Sequence, residues 1–471
     1  MSTLVLSRLQ FALTAMFHIL WPVLTIGLSL FLVLNETLWL RTGDPDYYRH
    51  ARFWAKLFIL NFGIGVASGV PLEFEFGTNW APYARALGNF FGNILGFEGA
   101  MAFMLEAGFL GIMLFGWRRV APKIHLFATL MVALGASFSA FWIMVANSWM
   151  QSPAGGIMRG GRFIVTSYTR AIFNPYTLWS VGHMWFACLE TSLLVIGAIS
   201  AYYIHRGQAR GFFLKSLKLV ILAGLVVAPL QIFLGDGSGR VVFHYQPAKG
   251  AALEGHWKTN PRGQGAPWAL VAWPSQQAQK NLWAIQIPDV LSLLATHRIT
   301  GRVIGLRSIP RRNQPPLLPL LFYAFRLMVL IGFYVFGLIL WSLWLWWRKA
   351  LHPDQLDRHR LWLKAWIAAL PLGYIAVECG WIVREVGRQP WIVNGILRTS
   401  AGVSRLAPGT VTFSLLGYLL LYGVLLASFG VFFRRIIREG PDLGMTPPPL
   451  HPANPIDANA SPTPPHPLDE P

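Results

Sequence analysis

Apolar residues in this chain come in long unbroken runs, not in the alternating or one-faced patterns of soluble strands and helices. The run from 411 to 433, VTFSLLGYLLLYGVLLASFGVFF, has no charge over more than the roughly 20 residues that cross a hydrocarbon core of about 30 Å. Charges, proline or glycine close each run. The pattern predicts nine membrane helices, near 11–40, 53–76, 94–117, 125–147, 178–204, 214–234, 318–347, 361–385 and 411–433. The first run continues to about residue 40 without a small-residue cleavage pattern, so it reads as a retained helix. The expected fold is all-α and polytopic: helices one to six in 1–234, a long polar loop in 235–317, helices seven to nine in 318–438, and a tail in 439–471.

The loop, 83 residues rich in glycine, proline, glutamine and charge, is too polar to span and too long for a plain connector. The tail has eleven prolines from Pro441 onward and little to bury, which predicts disorder. No internal repeat is visible, which argues against inverted-repeat transporters.

Composition supports the membrane reading: 54% of the residues are hydrophobic and only 13% charged. The formal charge of +19 would suit nucleic acid if it lay on one face of a soluble domain, but the basic residues fall in short clusters between apolar runs. They therefore read as a topology signal and a match to anionic lipid, and no nucleic acid partner is expected. Leaving out the long loop, one side has nineteen Lys and Arg and the other has nine, among them Arg384 and Arg388. This asymmetry predicts an outward N-terminus and long loop and a cytoplasmic C-terminus, as in a bacterial inner membrane. Cys188 and Cys379 both lie in apolar runs, far apart, and read as packing residues.

Ionisable and ligating side chains inside the runs are costly and point to function. Of twelve histidines only His18 and His183 lie well inside them, so a haem-binding reading must recruit Met or Glu as further axial ligands. Met328 is about ten residues into the seventh run; a methionine there is ordinarily packing, but Arg326 lies two residues earlier. That guanidinium is roughly 12 Å from the start of the run, far for snorkelling, and calls for an anion such as a carboxylate or a haem propionate. Glu98 and Glu106 in the third run and Glu378 in the eighth suit a proton relay or a metal ligand. On an ideal helix Glu98 and Glu106 are about 12 Å apart along the axis and about 80° apart around it. Glu190 shares a face with His183, seven residues on. By count from the predicted ends, His18, His183, Met328 and Glu378 all lie within about ten residues of the outward side. Glu106 and then Glu98 would separate this layer from the cytoplasm.

At these residues the chain resembles subunit I of the cytochrome bd family of quinol oxidases, over nearly its whole length before the tail. The motifs are SRLQFALTAMFHILWP with His18, KLFILNFGIGVASG followed by EFEFGTNW, FEGAMAFMLE with Glu98 and Glu106, NSWMQSPAG from Asn147, FRLMV with Arg326 and Met328, and GRQPW from Gly387. The resemblance implies that His183 and Met328 ligate a low-spin haem b with Arg326 beside it. It implies that His18 and Glu378 serve a high-spin haem b and a haem d, or a further haem b in its place, without saying which serves which. Asn147, Glu98 and Glu106 join the site, the two glutamates as a proton path. Lys249 and Glu254 match the family's quinol residues: an ammonium can bond a quinol oxygen while a carboxylate takes its proton. By local sequence alone they read as a solvated charge pair. Tyr374 departs from the pattern, standing where many relatives have Trp, and the loop is short, like that of the branch that includes cyanide-insensitive oxidases.

The implied activity is oxidation of quinol at the outer loop and reduction of O2 to water with cytoplasmic protons, building proton motive force without a pump. A heterodimer with subunit II is expected, with small accessory subunits as a further expectation. The rival readings are a haem-containing quinone dehydrogenase anchor, which normally shows paired histidines, and a proton-coupled transporter that uses the carboxylates alone.

Overall fold

The computed structural model describes residues 1–450, and among them nine helices are long and apolar enough to span a membrane. They are α1 (Thr3–Thr42), α2 (Pro45–Gly77), α3 (Ala81–Phe115), α4 (Pro122–Gln151), α5 (Thr177–His205), α6 (Arg210–Tyr245), α7 (Leu318–Trp347), α8 (Leu356–Val386) and α9 (Pro408–Glu439). Each coincides with one predicted run apart from its ends, and the all-α expectation holds: among the described residues the strands form only three antiparallel hairpins in connections. Local chemistry sets the ends. Ser2 caps α1, whose other end is closed by left-handed Gly43, and Asp44 caps α2 ahead of Pro45. Prolines also open α4 and α9, where their missing N–H costs nothing.

Several boundaries differ from expectation, α3 starting thirteen residues early, and two of them bear on the sites. Helix α1 starts at Thr3, eight residues early, so His18 is about 22 Å down its helix and the ten-residue depth expected for it does not hold. Helix α6 runs through 235–245, which the sequence assigns to the loop. The glycines that look like a stop signal there are sites of close approach instead. A Cβ at Gly237 would lie 2.0 Å from the Trp179 ring, and one at Gly235 would lie 3.3 Å from His183. The loop proper is therefore 246–317.

Connections alternate between two sides. On the loop side Thr3 bonds the Leu406 carbonyl and Gln246 bonds that of Gln151; on the far side Lys215 pairs with Asp44 and Asp46, and Arg210 pairs with Asp357. The largest hydrophobic cluster fills the far half, with Trp39, Trp54, Trp362 and Trp366 among its members, and Tyr374 packs on its edge. Smaller clusters share the loop half with the polar residues described below. Of the tail, residues 441–450 are described: Arg49 and Arg118 donate to the carbonyls of Met445 and Thr446. The rest of the tail lies outside the described residues.

Within the loop a short helix, Pro247–Leu253, follows α6 directly. Further on, β3 (Trp268–Ser275) and β4 (Lys280–Ile287) form the largest hairpin, which lies against α7. The other hairpins, β1 (Gly156–Arg159) with β2 (Arg162–Val165) and β5 (Trp391–Val393) with β6 (Leu397–Arg398), are shorter.

Candidate haem and quinol sites

The two intramembrane histidines are each faced by a glycine. A Cβ on Gly69 of α2 would come within 3.0 Å of His18 Cε1, so only glycine lets the backbone pass that close to the ring. Ser68 lies beside the ring. With its hydroxyl donating to the Gly65 carbonyl at 2.9 Å, it accepts at 3.0 Å from His18 Nδ1–H. That tautomer leaves the lone pair on Nε2 free to bind iron. His183 faces Gly235, and its Nδ1 is buried without a partner. Met328 faces Gly380 of α8, where a Cβ would lie 3.3 Å from the sulfur.

Glu378 has both carboxylate oxygens buried with no hydrogen-bond partner, an arrangement that costs several kcal/mol unless something binds them. Imidazole nitrogen, thioether sulfur and carboxylate oxygen are all axial donors for haem iron, so this side-chain set fits that group. The four side chains come from α1, α5, α7 and α8, as separate axial donors require.

Glu98 and Glu106 are brought into line by an irregularity the sequence did not show. Residues Glu98–Phe103 form a turn of π-helix, with the Met104 N–H bonding the Gly99 carbonyl five residues back. The extra residue in that turn reduces the expected offset of 80° to about 20°. Contacts with α4 agree: Ser139 donates to Glu98 at 2.7 Å, and Gly135, one turn away, lies against Glu106 with a would-be Cβ 2.9 Å from that of Glu106. Glu106 is 6% exposed, and its Oε1 has no partner.

Lys249 and Glu254 are not a solvated pair. Both are buried, at 3% and 4% exposure, and they belong to separate networks. Glu254 accepts from Arg326 at 2.6 Å, so the anion expected for that arginine is this carboxylate. Arg326 also donates to the Ala269 carbonyl at 2.6 Å and stacks on Phe322 at 4.3 Å. Burial pushes the Glu254 carboxyl above its usual range, and Arg326 opposes this. The Lys249 amine bonds the Arg384 carbonyl at 2.9 Å and Gln151 at 3.2 Å. Burial pulls this amine well below the ordinary lysine range; Arg384 and Arg388 push the same way and Glu385 opposes.

Asn147 donates to Glu385 at 2.9 Å and accepts from Arg384, which also donates to Ser180 and Ser148. Glu385 further pairs with Arg388, whose Nε and Nη1 are buried without partners. Thus Arg384 and Arg388, counted from sequence as topology charges, are internal. Sequence reasoning missed Glu385, although two adjacent ionisable residues, Arg384 and Glu385, at the apolar end of α8 just before GRQPW were the available signal. A cavity of about 510 Å³ between α6 and the loop is lined by Trp179, Arg240, His244, Tyr245 and Arg302, and neither Lys249 nor Glu254 borders it.

Residues 6–441 match the family model described as cytochrome bd terminal oxidase subunit I. The chain belongs to the cytochrome bd oxidase subunit I family. It is 34% identical to the cytochrome bd-II ubiquinol oxidase subunit 1 of Escherichia coli (strain K12), over 93% of this chain and 96% of that one. It is also 34% identical to the cytochrome bd ubiquinol oxidase subunit 1 of Bacillus subtilis (strain 168), over 93% and 94%. Its fold matches the structure of bd oxidase from Geobacillus thermodenitrificans with a TM-score of 0.85 at 30% identity, covering 93% of this chain and 99% of that one. Membership makes the chain a multi-pass component of a respiratory quinol:oxygen oxidoreductase, and the designation subunit I implies a subunit II.

Proposed function

We propose that this chain is the haem-bearing subunit of a bd-type oxidase that takes electrons from quinol on its long loop and protons from the opposite face. The observation that carries the reading is Glu378, a carboxylate bare on both oxygens in a half-buried setting. His183 and Met328 would hold a low-spin haem b. His18 and Glu378 would serve two high-spin haems, a haem b and either haem d or a further haem b. When bound, the haems supply electron transfer and oxygen binding. The chain's own part is to hold His18 in the Nδ1–H tautomer through Ser68, to receive quinol protons and to deliver protons along Glu106 and Glu98.

At the loop, Glu254 is the carboxylate that takes a quinol proton, and Arg326 keeps it ionised against burial. Lys249 is placed to bond a quinol oxygen, and its depressed basicity lets it share the proton-accepting role. With the N-terminus and loop outward, protons are released outside and consumed from inside, so charge separates without a pump. Subunit II completes a heterodimer, and small accessory subunits fit the same scheme.

Glu385 is the second carboxylate on the ligand-bearing face of α8, seven residues past Glu378 and held by Asn147 and Arg388. It is the alternative ligand. The test of the whole reading is a dithionite-reduced spectrum of the purified oxidase. Low- and high-spin haem b bands are expected, with or without a red-shifted chlorin band, and absence of haem would overturn it. Lys249→Ala should lower quinol turnover while these bands stay intact; their loss would make Lys249 structural.

A further inference from the structure

Hairpin β3–β4 is connected as part of a polar extramembrane loop, yet it is apolar on its outer surface. On β4 the alternating residues Trp283, Ile285 and Ile287 form one exposed apolar row, at 51%, 60% and 41%, and Leu270, Trp273 and Leu282 are exposed as well. A row of this kind in water would be an aggregation edge.

The register of the hairpin on α7 gives its height. Gln276, at the turn, donates to the Pro315 carbonyl, ahead of the helix. Tyr323 donates to the Ala272 carbonyl at 2.9 Å, and Arg326, one turn deeper, donates to that of Ala269. Thus β3 and β4 descend along α7 from their turn, and their open end, where Trp268 pairs with Ile287, is level with Arg326.

Aromatic residues mark the membrane boundaries. At the far end of α7, Trp344 is 52% exposed and Trp347 is 77% exposed. Tyr323 lies 21 residues before Trp344, about 31 Å along the helix, which is about the thickness of a hydrocarbon core. Tyr323 is therefore at the loop-side boundary, with the Trp273 ring 6.1 Å from its own. Below it, the α7 residues Leu327, Leu330 and Phe333 are exposed and apolar, and the hairpin's apolar row continues their surface.

We propose that hairpin β3–β4 lies in the membrane at the headgroup–acyl boundary of the loop-side leaflet, its apolar row covered by lipid acyl chains. The hairpin then forms the lipid-side wall of the Glu254–Arg326 pair. Its height is limited from below by β4, an edge strand whose free backbone groups need water or headgroups and cannot sit in the hydrocarbon centre. The inference rests on membrane embedding and on the hairpin's register, not on the identity of the quinone.

The experiment uses the assembled oxidase in phospholipid nanodiscs, with bimane attached to Trp283→Cys or Ile285→Cys and, as a turn control, to Lys280→Cys. The native Cys188 and Cys379 are buried, and unmutated protein taken through the same labelling gives the background. Haem spectra establish that each variant is folded. At positions 283 and 285, lipid with a doxyl group at carbon 5 should quench at least about twofold more than lipid with the group at carbon 12, and more than aqueous iodide. Iodide should dominate at position 280. Iodide dominating at all three positions would put the hairpin in water and overturn the proposal. Quenching by neither agent at 283 and 285 would mean a protein subunit covers the row, and stronger quenching from carbon 12 would place it too deep; either result also overturns it.

Discussion

Arg326→Met gives the sharpest test of the loop chemistry, because it keeps an unbranched apolar stem and removes the charge. The Arg326 and Glu254 side chains are 15% and 4% exposed, so the substitution leaves a nearly buried carboxylate without its cation. Breaking such a pair costs about 3–5 kcal/mol, much of it from the uncompensated charge. The ionised fraction of Glu254 at neutral pH should therefore fall. The direction follows from the causes: burial raises the Glu254 carboxyl and Arg326 opposes it, so in the variant burial is opposed only by the hydrogen bond from Trp268. Activity that needs an ionised Glu254 is lost as pH falls through its folded value, and in the variant that loss moves to higher pH. Steady-state quinol oxidation followed by oxygen uptake across pH should therefore show kcat/KM clearly lower at neutral pH, with partial recovery in alkali. Glu254→Gln should show the loss without the recovery. A pH profile of unchanged shape, merely scaled down, would refute the proton-accepting role of Glu254.

His183→Ala and Met328→Leu, made separately, should each remove the low-spin haem b signal; retention of that signal in both would dismiss the pair as ligands. Glu378→Gln should lose a high-spin haem in the pyridine haemochrome count while Glu385→Gln keeps it, and the opposite result would transfer the ligand role to Glu385. Gly69→Ala puts a methyl 3.0 Å from His18 and should shift the high-spin haem spectrum, whereas Gly88→Ala, with open space around it, should leave it unchanged; identical spectra would mean the His18 ring is not held by that contact.

The spans were legible because each hydrophobic run is as long as the membrane is thick, and that length leaves little choice of fold. The ends were less so. Gly235 and Gly237 look like a helix stop in sequence, yet they let His183 and Trp179 approach α6, a fact that depends on a partner helix 50 residues away. The candidate ligands could be read from their cost inside apolar runs. Partnerships could not: that Arg326 meets Glu254, 72 positions earlier, while Lys249 meets Gln151 depends on how the loop folds back over α7 and α8. Ser68 escaped notice because a serine in a membrane helix is common, and its role appears only when its one proton is accounted for.

The π-turn in α3 has a consequence for chain length. It holds one residue more than an α-turn with the same job, so α3 could lose a residue between Glu98 and Glu106 and close into a regular helix. Neither carboxylate would turn away from Ser139 and Gly135, and the crossing would be no shorter. Elsewhere in a spanning helix one deleted residue rotates everything beyond it by about 100°. Here the Glu98–Glu106 face has slack built in, and a one-residue deletion in Glu98–Phe103 is the one such change in α3 that its packing can absorb.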